Sequence, residues 1–195
     1  MPFIRETIVT TINEDGSVKI SPLGVHIVGK ELHIKPFKPS ITLDNIIRHK
    51  SGVINYVDDV RVFSGCITKR KMDWGTVEVG SVKNHRLDIA CAHTEFSVID
   101  TIKDEQRPTL ICKPTNEVAH RIFYGYNRAQ SAVIELCILV SRLHILDIKK
   151  IQDELQYLSI AIEKTAGDKE LEAWDWLIEK IDKYIEENKN DKNTG

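Results

Sequence analysis

The sequence predicts a mainly β fold with C-terminal helices, an α+β arrangement in which antiparallel strands come first. Up to Pro114, short runs of β-branched residues alternate with turn signals of the Asp-Gly type. After Pro114, apolar residues recur at helical spacing instead. We therefore expect a β-domain over 1–115, a helical segment over 116–190 and a disordered tail over 191–195.

The composition is that of an ordinary globular chain. It has 195 residues, of which 42% are hydrophobic and 29% charged. The net charge of −2 carries no basic signal, so no nucleic-acid partner is expected. No apolar run of about 18 residues occurs, so no membrane span is expected either. The first residues resemble neither a signal peptide nor a transit helix, and a cytoplasmic location is the default expectation.

The first strands are expected to form an antiparallel meander. Four runs show strand-like patterns, at 8–12, 18–20, 25–28 and 31–35. The stretch Ser21-Pro22-Leu23-Gly24 is expected to interrupt them, because proline cannot donate to a strand ladder. Two interpretations remain open here: backbone groups that face a planar ligand, or a plain β-bulge.

The rest of the chain divides into short helices, a loop, further strands and three longer helices. A short helix is expected over 42–49, and a second just after Asp58-Asp59. The polar residues 69–84 predict a loop. The remaining predictions are strands at 52–57, within 86–104 and at 107–114, and helices at 127–146, 147–166 and 168–188.

Four polar residues suggest a phosphate site at the start of the first helix: Lys38, Ser40, Thr42 and Asn45. Lysine supplies a charge, the hydroxyls supply donors, and the first helical turn supplies unpaired amides. A solvated lysine followed by two capping hydroxyls would explain the same pattern. Neither a Walker glycine pattern nor G-x-G-x-x-G occurs, which disfavours a nucleoside triphosphate or a Rossmann cofactor.

The remaining candidates give weaker signals. The four cysteines form no C-x-x-C pair and sit among apolar residues, which predicts buried free thiols. The histidines show no metal-ligand spacing, so no metal site is expected. Arg128 lies at the start of a predicted helix, where it would either bind an anionic ligand or form a local ion pair. No catalytic side chain is assigned.

The order of the elements resembles the flavin-reductase-like, FMN-binding split barrels. The matching elements are Val9-Thr10-Thr11, Asp15-Gly16, Lys19-Ile20-Ser21-Pro22, the helix start from Ser40 to Ile46, and Gly52-Val53-Ile54-Asn55. The sequence also resembles domain of unknown function 447, a family of archaea and one-carbon-metabolising bacteria. Members of that family carry an Asn-Arg-Ala…Val-Ile-Glu helix after the barrel, which is matched here by residues 126–146.

The resemblance implies an antiparallel split β-barrel of the FMN-binding type and a homodimer with FMN near the subunit interface. It implies that the phosphate is held by Lys38, Ser40 and Thr42, with Asn45 nearby. It further implies that the ribityl chain and ring face Thr10, Thr11 and the strand residues Ser21, Pro22, Gly24 and Val25, supported by Asn55. The sequence departs from the family pattern at Lys19 and Ile20-Ser21, where Asn and Ala-Ala are typical.

The resemblance also implies a function. The chain would be an FMN-binding flavoprotein, acting as a flavin-dependent oxidoreductase on a reduced nicotinamide or a pterin-type C1 carrier. The alternative is a non-catalytic FMN-binding or carrier module, because the sequence offers no evident acid–base pair or nucleophile.

Overall fold

A computed structural model describes residues 3–80 and 84–193, and side chains as far as residue 188. The chain forms two compact units. The barrel unit is drawn from Met1–Asp58 and Asp73–Phe123, and the helical unit from Asp59–Met72 and Tyr124–Gly195.

The barrel unit contains the eight strands of the described chain. Six of them close an antiparallel barrel in the order β1-β2-β3-β8-β7-β4, and β5 and β6 form a separate two-stranded sheet. This confirms the predicted antiparallel barrel with C-terminal helices. The strands are β1 (Phe3–Ile12), β2 (Val18–Val28), β3 (Glu31–Ile34), β4 (Ser51–Tyr56), β5 (Thr76–Val79), β6 (Asn84–Leu87), β7 (Ala92–Ile102) and β8 (Thr109–Ala119).

The predicted break at Ser21–Gly24 is wrong, because β2 runs through it as one strand of 11 residues. Its ladder with β1 is continuous, and Pro22 lies opposite Ile8. In the described pairing, β3 joins β2 only at Val25–Val28, so the preceding part of β2 has a single ladder partner. A strand with a single ladder partner tolerates proline, because the missing backbone N–H can lie on the unpaired side, where no neighbouring strand loses a hydrogen bond.

The barrel core lies on one face of each strand. Val9, Val25, Ile54 and Phe96 belong to it, and each is 1% exposed or less. The first helix, α1 (Ile41–His49), adds Leu43 and Ile46 to the same core. Ser40 caps α1 by accepting from the amide of Leu43 at 3.2 Å, as predicted for this hydroxyl.

The predicted loop over 69–84 is wrong in part. Residues 76–79 form β5, and Asn84 begins β6, which pairs antiparallel with β5. Residues 81–83 lie outside the described residues. This hairpin is hard to predict because β5 has only four residues, too few for its alternation to stand out, and both Val77 and Glu78 are exposed.

The helical unit contains α2 (Arg61–Thr68), α3 (Arg128–Val140), α4 (Ile148–Thr165) and α5 (Asp168–Asn193). The three long helices start close to their predicted positions. However, α3 ends six residues early, because the amides of Arg142 and Leu143 bond three residues back, to Leu139 and Val140. Residues 191–193 of the expected tail are helical, and 194–195 lie outside the described residues.

Residues 59–72 lie in the helical unit, whereas the expected boundary placed them in the β-domain. The reason is long-range packing, since α2 contacts α5 and α3. Buried Asp59 anchors this arrangement with contacts at 2.8 Å to Arg61 and 3.3 Å to Lys169. Burial by itself would raise the pKa of Asp59, but the hydrogen bond and charge of Arg61, with Lys169, outweigh it and hold that pKa below its usual range.

All four cysteines of the described chain are free thiols, and three of them are buried. Burial raises the pKa of the Cys112 thiol to about 12, which keeps it protonated. No helix in the described residues is long and apolar enough to cross a membrane.

We predict that Gly52→Ala destabilises the barrel by about 1–3 kcal/mol. A Cβ at Gly52 would lie 2.6 Å from Cζ of Phe96, whose ring is fully buried. The control is Gly80→Ala, where a Cβ meets nothing within 4 Å. Urea unfolding should show a loss for the first variant and a change within about 0.5 kcal/mol for the second. Equal losses would contradict the close approach at Gly52.

We also predict that Arg61→Met lowers the free energy of unfolding by about 2–3 kcal/mol, since it deprives a buried carboxylate of its hydrogen-bonded cation. Arg61 contacts both Asp59, whose side chain is 4% exposed, and Glu172 on α5. Arg70→Met is the matched control, because Arg70 and Glu179 are both 57% exposed. We expect its effect to stay within about 0.5 kcal/mol in the same urea titration. A comparable loss in both variants would refute the role of Arg61.

Candidate functional site

The predicted site residues on β1 point in two directions. Side chains alternate across a strand, so Thr11 shares the face of the core residue Val9, and Thr10 takes the opposite face. Both threonines are buried, with exposures of 1% or less. The alternation divides most of the predicted site into a core-face set and an outer-face pair.

The core-face set consists of Thr11, Ser21, Thr42 and Asn45. The hydroxyls of Ser21 and Thr42 lie 2.7 Å apart and form a hydrogen bond between β2 and α1. The amide of Asn45 donates to Thr11 Oγ1 at 3.1 Å, and to Asn13 Oδ1 at 2.8 Å. Of the four, Ser21 alone is half-buried, and the other three are buried. The set therefore ties α1 to the barrel and reaches solvent at Ser21.

The outer-face pair consists of Thr10 and Asn55. The Asn55 amide donates to Thr10 Oγ1 at 3.0 Å and to the carbonyl of Ile8 at 3.1 Å, and Asn55 Oδ1 accepts from the amide of Leu87 at 2.7 Å. The Thr10 hydroxyl donates to the carbonyl of His85 at 2.5 Å. These bonds attach β6 to β1 and β4. The polar groups of both side chains therefore already form hydrogen bonds within the protein.

Lys38 and Ser40 lie beside a surface groove of about 450 Å³. The groove is lined by Lys38, Pro39, Ser40, Leu43, Asp44 and Ile47. The Lys38 amine donates to the carbonyl of Asp104 at 2.9 Å, and the Lys38–Pro39 peptide bond is cis. Among the described residues, no hydrogen bond joins Lys38 to Ser21 or Thr42.

Charge around Lys38 is mixed. Hydrogen bonds from the backbone amides of Arg107 and Gln106 hold the pKa of the Asp104 carboxyl below its usual range, and Lys38 adds to the effect. Asp44, in the first turn of α1, is the carboxylate that lines the groove itself.

The half-buried stretch from Ser21 to Gly24 forms a backbone edge beside these hydroxyls. It pairs with β1 on one side, and no second strand is paired to it in the described structure. The Thr7 hydroxyl donates to the carbonyl of Leu23 at 2.8 Å. Val25 differs, because it is buried and pairs with both Arg5 and Ile34. A ligand would thus meet the backbone of residues 21–24, while Val25 packs in the core.

Sequence reasoning missed two residues of this region. Asn13 and Arg48 both bond to Asn45, Arg48 at 3.0 Å to its Oδ1. The spacing of three residues between Asn45 and Arg48 on α1 was the available signal.

Arg128, at the start of α3, lines a separate groove of about 290 Å³ within the helical unit, together with Glu135 and Tyr157. In the described structure, no group of three or more His, Cys, Asp or Glu side chains has the geometry of a metal site.

Comparison with solved structures supports the fold. A crystal structure of the FMN-bound protein MM1853 from Methanosarcina mazei has a TM-score of 0.78 and 22% identity, and covers 92% of this chain and 96% of that chain. The 2-nitrobenzoate 2-nitroreductase NbaA of Pseudomonas fluorescens has a TM-score of 0.53 and 18% identity, over 62% of this chain and 66% of the other. The flavoredoxin of Desulfovibrio vulgaris (Miyazaki F) has a TM-score of 0.51 and 12% identity, over 60% and 70%.

A comparison with curated proteins gives no match. The sequence matches the family model described as Protein of unknown function (DUF447) N-terminal domain over residues 5–121. It matches the model described as Protein of unknown function (DUF447) over residues 127–179. The first match spans more than half of the 195-residue chain, and the second follows it in the helical unit. With a barrel and C-terminal helices that both follow the family order, this chain belongs to the DUF447 family.

Proposed function

We propose that this chain binds FMN and works as a flavin-dependent oxidoreductase of the flavin-reductase-like kind. The observation that carries the proposal is its likeness to the Methanosarcina mazei protein, which is described as FMN-bound and belongs to the same family model. That likeness covers 96% of the relative, so both parts of the fold are shared. Because a fold alone does not fix a ligand, the donors of this chain must also suit FMN.

The donors at the start of α1 suit a phosphate. Two hydroxyls 2.7 Å apart use one proton for their mutual hydrogen bond, which leaves the other for a ligand oxygen. Ser40 Oγ accepts from Leu43, so its own proton is also available. The nine-residue helix adds the partial positive charge of its N-terminus. Lys38 is exposed, and its bond to the Asp104 carbonyl can be exchanged for a phosphate contact.

The backbone edge of β2 suits the flavin ring. A planar ring with donors and acceptors along its rim can bond to backbone groups of residues 21–24 on the side that no second strand pairs, and Pro22 offers an apolar surface. We therefore assign ligand contacts to Lys38, Ser40, Thr42, Ser21 and the strand through Pro22 to Gly24. Five buried side chains would support these ligand-contacting residues without touching the ligand: Thr10, Thr11, Val25, Asn45 and Asn55.

Bound FMN would supply the redox chemistry, accepting a hydride and passing electrons to an acceptor. The residues of this chain bind the phosphate, orient the ring and limit access of water. A reduced nicotinamide is the donor we propose to test first, and a pterin-type C1 carrier is the second. The proposal includes a homodimer with FMN near the subunit interface.

The experiment is the absorbance spectrum of purified protein before and after loading with FMN and dialysis. Retained near-ultraviolet and blue flavin bands would support the cofactor, and their bleaching by NADH or NADPH would support the oxidoreductase. Retained flavin that neither nicotinamide nor a reduced pterin bleaches would favour the carrier module. Loss of all flavin on dialysis would overturn the proposal.

We predict that Lys38→Met weakens FMN binding about tenfold, which corresponds to about 1.4 kcal/mol, and leaves riboflavin binding unchanged. Riboflavin lacks the phosphate, so the comparison isolates the contact made by the lysine charge. Lys113→Met is the control, since Lys113 is an exposed lysine on β8. Quenching of flavin fluorescence measures both affinities. An equal loss for FMN and riboflavin, or none for FMN, would exclude Lys38 from the phosphate site.

A further inference from the structure

Three titratable side chains lie in a row at one end of the β7–β8 pair, and none of them belongs to the proposed FMN site. Glu95 and His93 are on the same face of β7 and are buried, with exposures of 1% and 4%. His120 follows β8 directly and is exposed. A buried carboxylate and a buried imidazole are costly to desolvate unless they bond to each other, so this row needs an explanation.

The three groups are in hydrogen-bond contact. His93 Nδ1 lies 2.8 Å from His120 Nε2, and the two rings are parallel to within 1°. His93 Nε2 lies 3.4 Å from Glu95 Oε1, which also accepts from the amide of Asn116 at 2.8 Å. The row therefore runs without a gap from the buried carboxylate to an exposed imidazole.

A proton relay along this row requires one arrangement of the ring protons. With Glu95 ionised, its carboxylate only accepts, which assigns the His93 proton to Nε2, on the side of Glu95. Nδ1 of His93 is then an acceptor, and His120 must donate to it from Nε2. In neutral His120 the remaining nitrogen, Nδ1, has a free lone pair. The row thus presents a base at its exposed end.

The surroundings keep that base unprotonated near neutral pH. Partial burial, with the positive charge of Arg86 and the neighbouring His93, lowers the pKa of His120 below its usual value. Arg121, which pairs with Asp58, and Glu117, which accepts from Thr94, are further charged groups near this end of the strand pair. Asp100 and Lys113 are charged groups farther along β7 and β8.

We propose that Glu95, His93 and His120 form a proton relay in which exposed His120 is the group that exchanges protons with its surroundings. A proton taken up at His120 Nδ1, from solvent or from a weak N–H or O–H acid, releases the Nε2 proton to His93 Nδ1. His93 then passes its own Nε2 proton to Glu95. One proton enters, one charge is transferred inward, and no bond other than these N–H and O–H bonds changes. At the end of the relay Glu95 is a neutral carboxylic acid and both imidazoles are neutral.

The test is a titration of the full-length chain from about pH 8 to about pH 5, followed by ¹⁵N–¹H NMR of the histidine rings. The relay predicts that both neutral rings carry the proton on Nε2 at high pH and that both move it to Nδ1 in a single transition as the pH falls. In Glu95→Gln, which removes the final proton acceptor, the midpoint of that transition should fall by about one pH unit or more. Separate midpoints, or an unchanged one in Glu95→Gln, would overturn the relay.

A second variant keeps the test decisive if the Glu95 variant does not fold. His120→Gln changes an exposed residue, and its amide can still donate to His93 Nδ1. With the entry group gone, the His93 ring should keep its proton on Nε2 throughout this range. A His93 titration identical to that of the parent would refute the role of His120. His49→Gln, at the exposed end of α1, is the control and should leave both rings of the relay unchanged.

Discussion

Both faces of β1 are covered from Thr7 to Thr11, and this constraint decides where the polar groups of the barrel unit can go. Residues from Thr7 to Thr11 are buried, so each hydroxyl among them must find a partner inside the protein. Thr11 finds Asn45 of α1 on one face, and Thr10 finds Asn55 and the carbonyl of His85 on the other. The strand thereby fixes the positions of α1 and β6, and with them the walls of the proposed flavin site.

The shortness of β3 has the complementary effect. With four residues, β3 pairs with β2 only from Val25 onward and leaves the earlier part of β2 with one partner. Antiparallel ladders normally satisfy both edges of an interior strand, and an unsatisfied edge needs another partner. The proposed ring contact uses this edge, beside the hydroxyls of Ser21 and Thr42. Binding capacity here comes from a strand that stops early.

Buried charge is handled in two different ways in the two units. In the helical unit, Asp59 is compensated by fixed cations, Arg61 and Lys169, which hold it ionised. In the barrel unit, Glu95 has an imidazole as neighbour, whose charge depends on the protons it holds. The first arrangement suits structural support, and the second permits proton transfer. This difference is why we propose chemistry only for the second.

The sequence by itself determined the antiparallel β-part, the three long helices and a hydroxyl cap at the start of α1, because these follow from local periodicity and local hydrogen bonds. Through the family resemblance it also suggested Thr42, with Asn45 nearby, for a phosphate and Ser21 for the flavin ring. Only the tertiary structure decided that β2 continues through Pro22 and that Thr10 and Thr11 form hydrogen bonds on opposite faces of β1. It alone also decided that residues 59–72 pack with the later helices and that His93 contacts His120. Each of these depends on which strand or helix lies alongside, and that choice is made by contacts between residues far apart in the chain.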